Sequence, residues 1–479
     1  MCARIVSCPW LNIQVLALTD TTVPLYRTVM SNSSVAIRVW RDLGESERNL
    51  ILRRSEADIE RLMDETRTLL EEVRLRGDKR LAELTEAFDG ANVHADALRV
   101  RHEEFDRAEQ SLADDVRAAL DMVIENVELF HSSQRSTGFH MQTIRPGVLA
   151  GERTRPVDSA GLYVPRGRGS FPSMLYMAAI PARIAGVPKI VVCTPALPDG
   201  SVDAACLYAA RRCGVHEVYR VGGPGAIAAL AYGTESIPAV RKILGPGSAR
   251  VTAAKRLLAG IVDIGLPAGP SESMIIADKH ADPLLVAADL INEAEHGADS
   301  QSILLTPSTA LAESVAALIP DLTRQLPQER ADYVNAVLSG IGGIIITANL
   351  EEACEVANLY APEHLMIHTR EPWVTAESIH NASEILLGSH IPFSMANYAT
   401  GVNAILPTGG WARTWSSLSV HDFTKRSSIV DVSRTGFETL APHVACLAEY
   451  EGFAAHAMAV RVRMDSEPSS FWKTLKNDT

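Results

Sequence analysis

Apolar residues recur every three or four positions in two early stretches of the chain. Between Glu56 and Arg76 they are Ile59, Leu62, Met63, Leu69, Leu70 and Val73, with Gly77 closing the run. Between Ser111 and Phe130 they are Val116, Leu120, Val123, Val127 and Phe130. This is the period of an amphipathic helix, so the spacing predicts a helix over each stretch, and another helix and turn in the RGDKRLAELTEAFDG segment between them. After Ala160 the texture changes. Short apolar runs alternate with helical stretches: GLYVP, KIVVCT at 189–194, EVYRVGG at 217–223, SMIIAD at 273–278, SILLT at 302–306, GIIIT at 343–347, LMIHT at 365–369 and EILLG at 384–388. Such alternation predicts parallel sheets covered by helices, with too many strands for one small sheet.

One helix has both ends marked. In DPLLVAADLINEAEHGADSQ (282–301), Asp282 suits the N-cap, Pro283 the first helical position and Gly297 the stop. Asp289, Glu293 and His296 follow spacings of four and three and share a stripe, while Leu284, Ala287, Ala288 and Ile291 form the apolar side. A carboxylate and an imidazole one turn apart can share a metal ion. The alternative is a polar helix face whose terminal histidine complements the helix dipole.

Elsewhere the pattern is less regular. The glycine-rich GGPGAIAALAYG at 222–233 follows a strand as a cofactor-binding turn would, but it lacks the full G-x-G-x-x-G spacing and equally fits a tight turn without a ligand. From Asn397 the segment ANYATGVNAILPTGGWARTWSSLSVHDFTKR is expected to be loop with short irregular elements, and loops of that length in a compact protein are usually functional. A closing helix around LAEYEGFAAHAMAVRVR carries Glu451 and His456 as polar insertions among Ala, Phe and Val.

Composition narrows the class. A chain of 479 residues exceeds one hydrophobic core, so two or three domains are expected. A net charge of -13 without any basic block argues against nucleic acid or an anionic membrane as partner. The seven cysteines are scattered without a C-x-x-C pair, which fits reduced thiols and a cytoplasmic location. Residues 1–30 are broken by Pro9, Asp20, Pro24 and Arg27, so no signal-peptide core or span of about 20 apolar residues can be drawn there. Met30 offers a second possible chain start, and the preceding segment is expected to add little to the fold.

Several motifs then fall in one order: GLYVPRGR, AIPARIAGVPKIVVCTP, GPGSARVTAAKR, AGPSESMIIAD, AEHGADSQ, APEHL, NAILPTGG and EGFAAHAMAV. In that order they resemble the histidinol dehydrogenase family, over about residues 50–465. The resemblance implies a zinc-dependent, NAD-linked homodimer that oxidises a primary alcohol through the aldehyde to a carboxylate. It also implies an α/β fold of two parallel-sheet, incomplete Rossmann-like domains, a helical N-terminal region and a small C-terminal tail domain. The expected boundaries are an extension over 1–35, a small segment over 36–57, a first α/β domain from 58–160 and 273–418 carrying the metal and acid/base residues, a second on the NAD side over 161–272, and a dimer-swapped tail over 419–479.

Carried over by position, the family's glutamine, histidine, aspartate and histidine metal ligands fall on Glu293, His296, Asn397 and His456. Amide and acid are exchanged at two of the four, so the ligand charge is unchanged and all remain donors to a divalent ion. The family's acid/base pair falls on Glu363 and His364. Substrate contacts fall on Ser271, Glu293, His296, His364, Asn397, Glu451 and His456, while a further substrate histidine is Ala404 here. On the cofactor side Tyr163 is kept, and Gly225 and Ser248 stand where the family has glutamine and asparagine. The substrate implied is a small polar primary alcohol, with true histidinol dehydrogenase and a metal-binding homologue without turnover as alternatives. Glu451 beside a carboxylate-bearing metal site favours a neutral or cationic substrate, unless Arg166, Arg168 or Arg413 face the pocket.

Overall fold

Runs of Val, Ile and Leu that are apolar at consecutive positions suit strands with both faces covered, because successive side chains point to opposite sides of a sheet. A computed structural model of the chain describes residues 35–53, 59–136, 138–166 and 169–464. In chain order these hold β1 (Ile37–Val39), the hairpin strands β2 (Phe139–Arg145) and β3 (Val148–Pro156), then β4 (Ala160–Tyr163), β5 (Ile190–Thr194), β6 (Glu217–Arg220) and β7 (Lys242–Leu244). There follow β8 (Glu272–Ala277), β9 (Gln301–Thr306), β10 (Gly343–Ile346), β11 (His364–His368), β12 (Glu384–Leu387) and β13 (Thr424–Val432).

Three sheets result. Six parallel strands run β1-β10-β9-β8-β11-β12, four parallel strands run β6-β5-β4-β7, and three antiparallel strands run β13-β3-β2. In the largest sheet Ile275 and Leu304 face one apolar cluster while Met274, Ile276, Ile303 and Leu305 face another on the opposite side. The four-stranded sheet divides in the same way, Val192 on one side and Val191 with Cys193 on the other. This is the two-layer burial expected for parallel sheets.

Some differences from expectation lie where burial is weak, although the short strand β7, buried throughout, was not expected either. Strand β1, within the expected 36–57 segment, pairs in parallel with β10 at an edge of the six-stranded sheet. Strands β2, β3 and β13 were not expected, and they lie largely exposed, so no buried face imprints a period on TKRSSIVDV. The helix expected to close at Gly77 continues as Ile59–Asp89 across a kink, where Gly77 has φ +50. A β-carbon there would stand 2.0 Å from the Glu235 carboxylate, which instead accepts the Asp78 N–H at 2.8 Å. The second helix runs Asp114–Ser132, and Ser111 ends a separate helix, His102–Ser111. Asn397 lies on a short helix, Phe393–Tyr398, rather than in loop. The expected N-terminal extension, apart from Val35, and Arg168 fall outside the described residues.

Beyond β13 the helices Arg434–Tyr450 and Ala454–Met464 pack chiefly on each other and on the arm formed by the antiparallel sheet. Their outer surface exposes Leu447, Tyr450, Phe453 and Met458. No described helix is long and apolar enough to cross a membrane.

Candidate active site

The parallel register of the six-stranded sheet brings its first residues together. His364 opens β11 beside Ser273 on β8 and Glu384 on β12, and Glu272 stands opposite Gln301. All of these are buried, so the polar groups collect along the amino edge of the sheet. The turn into β11 is tight: Ala361, which ends the Leu350–Tyr360 helix, has φ +54, a left-handed conformation that an alanine adopts only under local constraint.

His364 is held through one ring nitrogen and faces a carboxylate with the other. Its Nδ1 lies 2.7 Å from Glu384 Oε2, its Nε2 lies 3.9 Å from Glu363 Oε1, and its ring meets Phe393 edge-on at 5.8 Å. Glu363 Oε2 accepts the Glu272 N–H at 2.9 Å, and Glu272 Oε1 accepts the Gly409 N–H at 2.9 Å, tying the long glycine-rich loop to the site. Burial pushes the Glu363 carboxyl up to about 8, against the pull of the His364 charge and the Glu272 N–H. For His364 burial works downward, but the Glu384 hydrogen bond and the charges of Glu384, Glu363 and Glu293 outweigh it and push the imidazole up to about 10. Glu384 was not singled out from the sequence, where EILLG reads only as a strand; its role follows from register alone.

The helix expected over 282–301 runs Pro283–Ala294, capped by the Asp282 carboxylate on Leu284 N–H. Its stripe divides. Asp289 points to the far edge of the sheet and pairs with His368 at 3.3 Å, away from the expected metal set. Of the expected apolar side, Leu284 and Ala288 are exposed; the buried face is Val286, Ala287, Leu290, Ile291 and Ala294. Glu293 is fully buried beside His296, whose Nε2 lies 3.9 Å from Glu293 Oε2 and whose Nδ1 meets Ser271 Oγ at 3.0 Å.

Glu293 and Asn397 touch. Asn397 Nδ2 and Asn292 Nδ2 each donate to Glu293 Oε1 at 3.0 Å, while Glu293 Oε2 is buried without a hydrogen-bond partner. A buried carboxylate oxygen left open towards an imidazole fits a divalent cation, since bonds of about 2.0–2.2 Å let one ion reach both groups after a small adjustment. The contact also explains why two exchanged positions occur together. Asparagine here donates to glutamate, so the exchanged amide and acid meet as a matched donor and acceptor. His456 and Glu451, by contrast, are exposed on the arm helices, and among the described residues no three His, Cys, Asp or Glu side chains gather as a metal-holding group within the single chain.

The expected cofactor residues lie at the other sheet, near its carboxyl edge. The order β6-β5-β4-β7 reverses direction between β4 and β7, the place where open α/β sheets hold ligands. Tyr163 ends β4, with its buried phenol accepting the Gly223 N–H at 3.2 Å and pushed up to about 12 by burial. The glycine-only turn after β7 is forced, because a β-carbon on Gly245 would stand 1.9 Å from Tyr163 O. Ser248 is exposed at the N-cap of the Ala249–Leu258 helix. Gly225 is buried, its absent β-carbon directed at Leu84 and Leu81 at 3.2 and 3.4 Å. Such a bare loop and helix start can receive a pyrophosphate on backbone N–H groups. Ala404 is packed in the apolar cluster around Met177, to whose Sδ its N–H donates at 3.0 Å. Arg166 and Arg413 are bound to the carbonyls of Ala196 and Leu359.

Comparison with known proteins points to one family. The family model described as histidinol dehydrogenase matches residues 52–464. A protein named histidinol dehydrogenase from Synechocystis sp. is 46% identical over 415 residues, covering 87% of this chain and 96% of that protein. One named histidinol dehydrogenase homolog from Rhizobium meliloti is 46% identical over 429 residues, covering 89% and 94%. The crystal structure of histidinol dehydrogenase from Elizabethkingia anophelis superposes with a TM-score of 0.86 at 34% identity, over 91% of this chain and 99% of that one. With the matched span running from the first helices through the arm, the chain belongs to the histidinol dehydrogenase family.

Proposed function

We propose that this chain oxidises the primary alcohol of histidinol to the carboxylate, with NAD as acceptor and a divalent ion, zinc by its donors, at Glu293, His296 and Asn397. The observation that carries this is His364, buried between Glu363 and Glu384 one register step from the Ser271–Ser273 segment that also touches His296. Bound at its ligands, the metal would polarise the substrate and offset the carboxylate charge around His364. Bound at the β4 and β7 ends, NAD would accept one hydride in each of two oxidation steps.

The chain's own groups handle protons. His364 Nε2 takes the hydroxyl proton as the carbinol hydrogen departs as hydride, and Nδ1 stays fixed on Glu384. Glu363, ionised, takes a proton from the water as its oxygen bonds to the aldehyde carbon, giving the anion of the hydrate, which loses the second hydride to leave the carboxylic acid. Phe393 and the Gly409 loop limit water around these groups. Because His456 and Glu451 stand exposed on the arm, the proposal includes a homodimer in which a second copy supplies them.

A second reading, oxidation of a different small polar alcohol, is favoured by Ala404, buried among apolar groups where the resemblance implies a substrate histidine. NADH formation from histidinol, followed spectrophotometrically with zinc-loaded protein, decides between the two. Turnover at micromolar histidinol supports the first; turnover of other polar alcohols alone supports the second; no turnover with either, zinc being bound, removes both. Mixed His364→Ala and His456→Ala chains should regain about one working site per heterodimer, and proven heterodimers without activity would remove the shared site.

A further inference from the structure

In a parallel sheet wound outward from its first strand, a dinucleotide crosses the carboxyl ends at the reversal point, and its adenosine ribose reaches the end of the second strand. An acidic side chain there accepts from the ribose 2′-hydroxyl and repels a 2′-phosphate, whereas an arginine favours the phosphate. In this chain β4 is the first strand and β5 the second. The four residues following β5 are Pro195, Ala196, Leu197 and Pro198, and the acid beyond them, Asp199, is exposed and takes the Ser201 N–H and hydroxyl on its Oδ1 at 2.9 and 2.6 Å.

A carboxylate arrives from elsewhere. Asp89, the last residue of the Ile59–Asp89 helix, lies near the Ala196 N–H just beyond β5, which favours its ionised form. Its Oδ2 would stand 3.3 Å from a β-carbon on Gly222, just beyond β6. It is only partly buried, so the carboxylate keeps an open side, and one backbone N–H leaves most of its acceptor capacity unused. Burial raises its pKa, and the Ala196 N–H and the Arg166 charge oppose that rise. Arg166, from the loop after β4, is itself fixed by Nη1 on Ala196 O at 3.0 Å. The end of β5 therefore has an arginine fixed on the Ala196 carbonyl and an acid beside it, with Oδ2 close to Gly222, each matching one form of the dinucleotide.

We infer that Asp89 accepts from the adenosine ribose hydroxyls of the cofactor and sets a preference for NAD over its 2′-phosphorylated form, with Arg166 the group that would favour the phosphate once Asp89 loses its charge. This rests on the NAD reading above. Asp89 is a binding residue here, delivered by a helix outside the winding of the sheet, so its place in the sequence, ahead of β4, does not mark it.

The test is binding without turnover. Titration calorimetry on the zinc-loaded protein would give dissociation constants for NAD and NADP, for the unmodified chain, for Asp89→Asn and for Asp89→Asn combined with Arg166→Leu. Asparagine retains an oxygen for the Ala196 N–H, and a thermal melt checks the fold. We expect Asp89→Asn to weaken NAD about tenfold and tighten NADP about tenfold, the worth of one charge-assisted hydrogen bond each way, and the double variant to lose the gain for NADP. A purely structural Asp89 would weaken both dinucleotides together, and that result, or an unchanged ratio, overturns the assignment while leaving NAD use intact. An unmodified chain that binds neither dinucleotide overturns both readings at once.

Discussion

On the proposed reading, the two parallel sheets present opposite edges to chemistry. At the amino edge of the six-stranded sheet the working groups are side chains: four glutamates, two histidines and an asparagine, largely buried and linked by short contacts. At the carboxyl edge of the four-stranded sheet the working surface is mostly backbone, cleared by Gly245 and its neighbours. A side-chain site depends on each residue's charge and reach, whereas a backbone site needs only that nothing obstruct it. Substitution should therefore be costly at the first edge and mild at the second.

The sharpest attempt to break this contrast is His364→Ala, which should lower kcat by about 10²–10⁴-fold with zinc content unchanged; a loss below tenfold would place the base elsewhere. Next, Glu384→Gln should lower kcat by about 10²-fold and also change the pH profile. Since His364 stands at about 10 and Glu363 at about 8, and both work deprotonated, the rate should rise with pH through the alkaline range. Removing the Glu384 charge lowers the His364 value, so the rising limb should move towards neutral pH. A limb that stays in place would show that another group sets it.

A smaller effect is expected from reversing one half of the exchanged pair. Asn397→Asp faces two carboxylates in a buried site, which should destabilise the metal-free protein by about 1–3 kcal/mol and enlarge the Tm gain on adding zinc. Combining it with Glu293→Gln should recover the metal-free Tm, as the donor and acceptor are again matched. Melting curves for the four members of this cycle measure the coupling, and additive losses would mean the two side chains act independently. The smallest change belongs to the backbone edge. Gly225→Gln crowds Leu84 and Leu81 and should cost about 1–2 kcal/mol of stability while altering the NAD dissociation constant by less than about threefold, a shift under 1 kcal/mol.

The contrast also governs what could be read from the sequence. Buried parallel strands announced themselves as apolar runs, and eight of these became strands with boundaries shifted by up to three residues. Glu293, His296, Glu363 and His364 were visible because side-chain chemistry leaves its mark in residue type and spacing. Glu384 and Asp89 were not, because one is joined to His364 by strand register and the other to Ala196 by the kinked helix, relations across 20 and 107 positions. The same holds for the arm. With β2, β3 and β13 exposed, neither face constrains which residues are apolar, so nothing in TKRSSIVDV distinguishes strand from loop. The stripe of Asp289, Glu293 and His296 erred for a related reason: the helix places them in a row, but the sheet beneath offers His368 to the first and the active site to the others.

Glu384, the partner that orients His364, sits on β12, and β12 is the last strand of its sheet, paired on one side only. Edge strands open at lower free energy than central ones. Catalytic competence is thereby coupled to a local equilibrium: a brief release of four residues frees the imidazole while the rest of the sheet keeps its hydrogen bonds. On warming, activity should fade ahead of the cooperative melt, and amide exchange along β12 should report that loss before any central strand does.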